Sequence, residues 1–254
     1  MTDEARATRE RLAADLAALG VRPGSVLLVH SSLSALGWVE GGAATVVAGL
    51  RQVLGPDGTL LVPALTYASV DASQTRFEQA NTPSCVGAIS EHFRTHEAQQ
   101  RSLAPTHSVC GTGPQAAQVL SRHHLDGTPC GPNSPFRAVR DRAGAILFLG
   151  CGMRPNTSMH GVEELSEPPY LFGDPITYEV VAEDGAVTRP SIRRHRFSGW
   201  GQRYDRLAGL LADEGLRHGS VLQGTAHLVD AEAMWERADA AMRREPYYFV
   251  ERRD

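Results

Sequence analysis

Three short, almost continuously apolar segments constrain the fold of this chain most. They are residues 25–30 (SVLLVH), 59–66 (TLLVPALT) and 145–149 (AILFL). Strands without a polar face are typical of a parallel sheet covered on both sides. A loop rich in Ser and Gly and a helical pattern at residues 43–54 separate the first two segments, which indicates a βαβ unit. We therefore predict an α/β protein with an α/β/α layered core around a mostly parallel central sheet.

The remaining periodicity predicts further helices and one antiparallel hairpin insertion. Leucines at helical spacing near the start of the chain share a helix face that ends at Gly20. Asp184 and Gly185 lie between two strand-like segments, residues 176–181 and 187–193, which is a strong hairpin signal. Further helical patterns cover residues 86–95, 115–124, 201–214 and 231–243. No repeat or linker divides the chain, so we expect one domain over residues 1–254.

The basic residues exclude several kinds of chemistry. The chain of 254 residues has 25 basic and 29 acidic residues, and every basic residue is arginine. Without lysine there is no pyridoxal-phosphate Schiff base, no class I aldolase chemistry and no Walker A phosphate site. Because the net charge is −4, we expect no nucleic-acid partner.

Localisation follows from apolar runs and cysteine spacing. No apolar stretch is long enough to span a membrane, and the charged first residues lack the apolar core of a secretory signal. The four cysteines are far apart, which fits neither a disulfide framework nor a zinc ribbon. We therefore expect a cytoplasmic protein without a membrane contact.

The first candidate site begins at His30, the last residue of the first predicted strand. In open α/β sheets, ligands bind beyond the carboxyl ends of the strands. The loop after His30 (SSLSALGWVEGG) leads into a predicted helix, whose free N–H groups can hold a phosphate or pyrophosphate without lysine. The same Ser and Gly residues also serve as ordinary caps and turns, so the spacing alone leaves both interpretations open.

The second candidate site is Thr106-His107-Ser108, which precedes a G-x-G-x-x-A pattern. A dinucleotide fingerprint needs a strand before it and an acidic residue about 20 positions later. Pro105 interrupts any preceding strand and Asp126 is too close, so the spacing argues against that cofactor. The Thr-His-Ser cluster can still bind a polar ligand.

The third candidate site, NTSMHGVEE, follows the third predicted strand. If a helix begins near Thr157, His160 and Glu163 share one face. A carboxylate beside an imidazole fixes its tautomer and raises its basicity, as a general base requires. In isolation, such a pair is more often an ordinary surface ion pair.

The fourth candidate is a group of acidic residues around Tyr170, namely Glu163, Glu164, Glu167 and Asp174. Gathered in a cleft, these carboxylates would attract a polycation. The ordinary alternative is a solvated acidic face.

The other histidines do not predict a resident metal. His92 and His96 have i, i+4 spacing, but the chain has no H-E-x-x-H motif. His123 and His124 are adjacent and point to different helix faces. No G-x-S-x-G motif supports a hydrolase nucleophile.

Taken together, six ordered blocks resemble the aminoglycoside 3-N-acetyltransferase family, also called the antibiotic N-acetyltransferase family. The likeness extends from about Arg11 to Arg243. The blocks are LLVHSSLSALGWVEGG, TLLVPALTY, NTPSCVGAISEHFR, PTHSV, GPNSPF and NTSMHGVEE. The resemblance implies a fold distinct from that of the GNAT acetyltransferases. It also implies acetyl-CoA as the donor, the 3-amino group of the 2-deoxystreptamine ring of aminoglycosides as the acceptor, and a role in antibiotic resistance.

The resemblance also implies the site residues. We expect three catalytic residues: His160, which matches the catalytic histidine of the family, Glu163, which matches the glutamate three residues later, and His30, which matches a histidine beside the cofactor. The residues expected to contact acetyl-CoA are His30, Ser31, Ser32, Ser34, Leu36, Gly37, Trp38, Val39, Gly41, Thr106, His107, Ser108 and Val109. The residues expected to contact the acceptor are Tyr67, Glu163, Glu164, Glu167, Tyr170 and Asp174.

The chain departs from the family pattern at two places. Ala104 stands where members commonly have His before Pro105, and Gly161-Val162 stands where Tyr-Ala is common. We expect Gly161 to remove a side chain beside the acceptor, so this departure bears on which amine is acetylated.

The predicted reaction is direct attack of the amine on the thioester in a ternary complex. His160 accepts a proton from the amine, Glu163 orients His160, and backbone N–H groups of residues 31–42 stabilise the oxyanion. A thiol with a pKa of roughly 8.5 leaves readily, so no acetyl-enzyme is needed.

Other interpretations and the assembly stay open. The sequence permits acetylation of a metabolite amine, CoA binding without turnover, or a metal-dependent hydrolase that uses His92, His96 or His123. It allows a monomer or a homodimer.

Overall fold

The computed structural model describes residues 2–212 and 214–253; Asp213, within the predicted helix at residues 201–214, lies outside them. The helices are α1 (Asp3–Leu19), α2 (Gly42–Leu54), α3 (Ala88–His92), α4 (Ala116–Leu120), α5 (Pro135–Arg140), α6 (Ser158–Ser166), α7 (Leu207–Leu210) and α8 (Ala231–Arg244). The strands are β1 (Val26–Ser31), β2 (Thr59–Pro63), β3 (Arg76–Glu78), β4 (Gln100–Arg101), β5 (Val109–Thr112), β6 (Ala145–Leu149), β7 (Phe172–Thr177), β8 (Glu179–Val181), β9 (Val187–Thr188), β10 (Ser191–His195), β11 (Trp200–Gln202), β12 (Leu216–Val221), β13 (Gly224–Asp230) and β14 (Val250–Arg252).

The central sheet has seven strands in the order β12-β13-β6-β1-β2-β5-β4. β6, β1 and β2 are mutually parallel, and they correspond to the three apolar segments of the sequence. β13 and β5 run antiparallel beside them, and the two edge strands, β12 and β4, run in the same direction as the three central strands. Five of the seven strands therefore share one direction, and the predicted α/β fold with a mostly parallel central sheet is confirmed.

Helices cover both faces of this sheet, because alternate residues of its strands point to opposite sides. Leu28 and Phe148 pack with residues of α4, α5, α6 and α8. Leu27 and Leu147 pack on the other side with residues of α1, α2 and α3. The layered core that follows from the apolar segments is therefore present, with β1 buried in its centre.

The predicted hairpin insertion is confirmed, although its strands divide between two small sheets. β8 and β9 pair with Val181 opposite Val187, and β7 and β10 pair with Ile176 opposite Ile192. Gly185 adopts a φ of 86° in the turn between β8 and β9. Glycine suits this left-handed conformation because it has no Cβ.

The predicted helix at residues 201–214 is wrong for most of its length. The chain instead forms β11, a single 3₁₀ turn at Tyr204–Arg206 and the four-residue α7. β11 pairs antiparallel with β14, and Arg203 forms ion pairs with Asp205 and Glu251. Pairing with a distant strand overrides the local helical pattern.

The other helix predictions hold with adjusted ends. The patterns at residues 43–54 and 231–243 become α2 and α8, whereas those at 86–95 and 115–124 contain the shorter α3 and α4. Among the described residues, no helix combines the length and apolarity needed to cross a membrane.

Gly161 makes room for the core, not for an acceptor. A Cβ at this position would lie 2.4 Å from Cη2 of Trp235 in α8 and 2.9 Å from its Cζ2. Gly161 therefore allows the Trp235 indole to pack against α6. The expectation that this glycine clears space for an amine substrate is wrong.

We predict that Gly161→Ala lowers the free energy of unfolding by about 1–3 kcal/mol, because the added methyl group overpacks the contact with Trp235. Denaturant unfolding of Gly161→Ala, Trp235→Phe and the double variant measures the coupling. The smaller ring in Trp235→Phe should recover part of the loss. Full stability of Gly161→Ala, or no recovery in the double variant, would contradict this packing.

Candidate active site

A cavity of about 540 Å³ opens beside the carboxyl ends of β1 and β2. Its walls come from these strand ends, the start of α6, the end of β10 and the turn after β11. The side chains that give it chemical character are His30, His107, His160, His195, Tyr204 and Cys151. This is the edge at which ligands bind in open α/β sheets.

The start of α6 is fixed by buried polar contacts. Asn156 is fully buried, and its Oδ1 accepts a hydrogen bond from the backbone N–H of Ser158 at 3.1 Å. α6 ends where Glu167 adopts a left-handed φ of 41°, just before Pro168. These contacts place His160 in the first turn of α6, facing the cavity.

His160 and Glu163 form the predicted pair on one face of α6. His160 Nδ1 lies 3.1 Å from Glu163 Oε2. The side chain of Glu163 is 0% exposed, whereas that of His160 is 14% exposed. A buried carboxylate that holds one imidazole nitrogen leaves the other, Nε2, for a ligand.

Two tyrosines complete the surroundings of Glu163. The Tyr204 hydroxyl donates to Glu163 Oε2 at 2.7 Å, and the Tyr170 hydroxyl donates to Oε1 at 3.1 Å. Burial, reinforced by the negative charge of Glu163, raises the pKa of both phenols, so they remain hydrogen-bond donors. The Tyr204 oxygen also lies 2.9 Å from His160 Nδ1. The carboxylate is therefore held on both oxygens.

A second His–Glu pair lies beside the first. His195 Nε2 is 2.7 Å from Glu164 Oε1, and both side chains are almost completely buried. Glu164 also accepts hydrogen bonds from the Thr128 hydroxyl at 2.6 Å and the Cys130 N–H at 2.8 Å. Burial raises the pKa of Glu164 and lowers that of His195 well below its usual range. His195 and Tyr204 were not among the residues predicted from the sequence.

His30 lies at the predicted strand end but has a different environment from His160. Its ring stacks on Phe148 at 5.2 Å between centres, and its Nε2 has no hydrogen-bond partner among the described residues. Burial, with a smaller repulsion from His160, lowers the pKa of His30 to about 3. A histidine with so low a pKa is a poor proton acceptor at neutral pH, which disfavours His30 as the general base.

The loop after β1 runs from the cavity to the surface. Ser31 lines the cavity, whereas Trp38 is 82% exposed. Leu36 and Val39 are buried in the core, so any contact they make with a ligand comes from the backbone. Gly37 and Gly41 both have positive φ, and Ser32 and Ser34 lie with their hydroxyl oxygens 3.4 Å apart.

The Thr-His-Ser block contributes mainly His107 to the cavity. His107 Nδ1 lies 2.8 Å from the Thr106 hydroxyl, and burial lowers the pKa of His107 well below its usual range. The Ser108 hydroxyl donates to the Ala64 carbonyl at 2.7 Å, and Val109 is part of the core. The side chains of Ser108 and Val109 are therefore used by the fold.

The acidic residues do not form an open acidic cleft. Glu163 and Glu164 are buried and hold histidines, and Glu167 forms an ion pair with Arg193 at 2.9 Å. Asp174 is exposed on β7. Of the residues predicted to contact the acceptor, only Tyr67 lines the cavity directly.

The charged side chains that line the cavity are basic. Arg154 and Arg253 lie in its wall, and no Asp or Glu is among the described lining residues. The Arg154 guanidinium donates to the Gln202 carbonyl at 3.0 Å. Both arginines are exposed, and the Arg154 guanidinium also lies 3.9 Å from a carboxylate oxygen of Glu251.

Cys151 and the histidines at positions 92, 96 and 123 are not placed for catalysis. Cys151 lines the cavity, but burial raises the pKa of its thiol to about 11. His92 and His96 stack at 4.6 Å outside the cavity. Both nitrogens of His123 have partners, the Ser102 hydroxyl and the Pro129 carbonyl.

Comparison with known proteins places this geometry in a family. A family model described as aminoglycoside 3-N-acetyltransferase matches residues 28–243. Aminoglycoside N(3)-acetyltransferase IV from Salmonella sp. is 34% identical over 183 residues, which covers 71% of this chain and 67% of the relative.

Two solved structures have the same fold. A histidine-to-alanine mutant of aminoglycoside acetyltransferase AAC(3)-IVa in complex with a gentamicin is 29% identical, with a TM-score of 0.82 over 95% of this chain and 90% of that one. AAC-IIIb as a binary complex with CoASH is 27% identical, with a TM-score of 0.81 over 93% of this chain and 96% of that one. The resemblance is confirmed, and the chain belongs to the aminoglycoside 3-N-acetyltransferase family.

Proposed function

We propose that this chain transfers the acetyl group of acetyl-CoA to the 3-amino group of an aminoglycoside, with His160 as the general base. The observation that carries the proposal is the contact between His160 Nδ1 and the buried Glu163 at the carboxyl edge of the sheet. The relatives complexed with CoASH and with a gentamicin support the two substrates.

The proposed reaction needs one proton acceptor and one positioned thioester. His160 Nε2 takes a proton from the acceptor nitrogen as that nitrogen attacks the thioester carbon. Glu163 holds Nδ1–H and stabilises the imidazolium that forms. The carbon–sulfur bond then breaks, and the thiolate leaves and takes up a proton. Base catalysis of this kind typically contributes about 10²–10⁴-fold.

Direct attack by the acceptor amine is consistent with the high pKa of the nearby Cys151 thiol. Cys151 lines the cavity, but with a pKa of about 11 it carries little thiolate at neutral pH. A thiol in that state is a weak nucleophile, which disfavours an acetyl-enzyme on Cys151. The amine is therefore the nucleophile in the proposed ternary complex.

The loop after β1 is the proposed path of the CoA arm. Ser31 faces the cavity and Trp38 presents a large exposed apolar surface at the other end. The N–H groups of Ser32, Ala35 and Gly42 are already paired with backbone carbonyls. We therefore assign the oxyanion to the other N–H groups of residues 31–42.

A second candidate function is acetylation of an amine that carries fewer positive charges than an aminoglycoside. The observation that favours it is the pair Arg154 and Arg253 in a cavity wall that lacks Asp and Glu among its described residues. The guanidinium groups would repel an acceptor that carries several ammonium groups. Acceptors with a single amine would avoid most of it.

We predict that His160→Ala lowers kcat by about 10²-fold or more and leaves CoA affinity nearly unchanged, because the base acts in the chemical step. Thiol release from acetyl-CoA, followed with a thiol reagent, measures the rate for gentamicin, kanamycin, neomycin and apramycin. The matched control is His96→Ala at an exposed histidine outside the cavity. Turnover of His160→Ala close to that of the control would remove His160 from the base role.

We predict that Arg154→Gln raises kcat/KM for an acceptor with several amines by up to about fivefold, since an exposed charge contact is worth roughly 0.2–1 kcal/mol. It should change kcat/KM little for an acceptor with one amine. Arg243→Gln, at an exposed position on α8, is the control. Equal effects of Arg154→Gln on both acceptors would show that this arginine does not discriminate by charge.

A further inference from the structure

Three histidines gather in the cavity from three separate parts of the fold. His107 precedes β5, His160 lies on α6 and His195 ends β10. A ring nitrogen of each lies within 4.8 Å of a ring nitrogen of the other two. Base catalysis requires only one of these imidazoles, so the cluster is larger than the proposed reaction needs.

Each imidazole is held through one nitrogen and offers the other. The holding contacts are His107 Nδ1 to Thr106 Oγ1 at 2.8 Å, His160 Nδ1 to Glu163 Oε2 at 3.1 Å, and His195 Nε2 to Glu164 Oε1 at 2.7 Å. Within the described chain, the buried Nδ1 of His195 has no hydrogen-bond partner. Histidines that ligate metal ions characteristically have such a partner on the nitrogen away from the ion.

The ring spacing fits one tetrahedral ion. Zn–N bonds of about 2.0–2.1 Å at tetrahedral angles place the ring centres of two ligands roughly 5 Å apart. The three centre-to-centre distances here are 4.8 Å, 5.4 Å and 5.8 Å. In such a site the ligating nitrogens lie roughly 3.4 Å apart. Rotation of the three rings about their side-chain bonds can bring the nitrogens to this distance.

The charges fit a divalent ion as well. Glu163 and Glu164 are both buried, and each hydrogen-bonds one of the three histidines. Two carboxylates next to the ligand shell offset the two positive charges of the ion. A site with three histidines leaves a fourth position open to the cavity, as in catalytic zinc sites.

We propose that His107, His160 and His195 bind one Zn²⁺ ion or a similar divalent transition-metal ion. Imidazole nitrogen is a preferred ligand of such ions. The bound ion occupies the free nitrogen of His160, so it blocks the proposed base and inhibits acetyl transfer. The inhibition rests on the proposed function, whereas the binding itself does not.

Calorimetric titration of chelator-treated protein with ZnCl₂ tests the binding without any turnover. We expect one ion per chain, and affinity at least about tenfold weaker in His195→Asn. His96→Gln is the matched control, because His92 and His96 form a stacked pair on another part of the surface. Wild-type affinity in His195→Asn, or loss of binding in His96→Gln, would overturn the proposal.

Two further readouts guard against a variant that does not fold. CoCl₂ added to the wild-type protein should give the intense visible absorption of tetrahedral cobalt, and its absence would overturn the site. Glu164→Gln, which keeps all three ligands, should weaken binding about 10–100-fold. Thermal unfolding of each variant without metal identifies those that fold. Zinc binding without inhibition of acetyl transfer would refute His160 as the general base, but it would leave the zinc site itself supported.

Discussion

The carboxylate of Glu163 inside the protein is the constraint on which the rest of the site depends. A buried carboxylate is costly unless its oxygens are hydrogen-bonded. Here Tyr170, Tyr204 and His160 supply those bonds. Each of these residues comes from a different stretch of chain, so the fold that hides Glu163 also fixes the imidazole at the cavity. Loss of Tyr170 would leave Glu163 Oε1 without a hydrogen bond in the core, whereas Oε2 has two partners, Tyr204 and His160.

The sheet explains why this cluster faces a ligand. β1, β2 and β6 are parallel, so their carboxyl ends meet at one edge, and the chain after each end contributes to the cavity. α6 follows β6 and begins at that edge. The insertion that contains β10 and the turn after β11 then close the cavity from outside the sheet. Catalytic geometry is thus set jointly by the central sheet and by segments peripheral to it.

Local patterns predicted the centre of the fold and of the site, but not the periphery. The three apolar segments form the three parallel strands. Because these strands are buried on both faces, their sequences do not alternate between polar and apolar residues. His160 and Glu163 were predictable because their contact lies within one helical turn. Tyr204 was not, since it follows β11, whose partner β14 is distant in sequence. His195 was not, since it lies two residues beyond the strand predicted at residues 187–193. Gly161 was misjudged because its neighbour, Trp235, is on another helix.

The proposed reaction depends most on both substrates being held in the cavity together. Initial rates of thiol release, with acetyl-CoA and the acceptor varied together, test this directly. We expect double-reciprocal lines that intersect, because the amine attacks the thioester within one ternary complex. Parallel lines would contradict it, since they indicate that the acetyl group passes first to the protein.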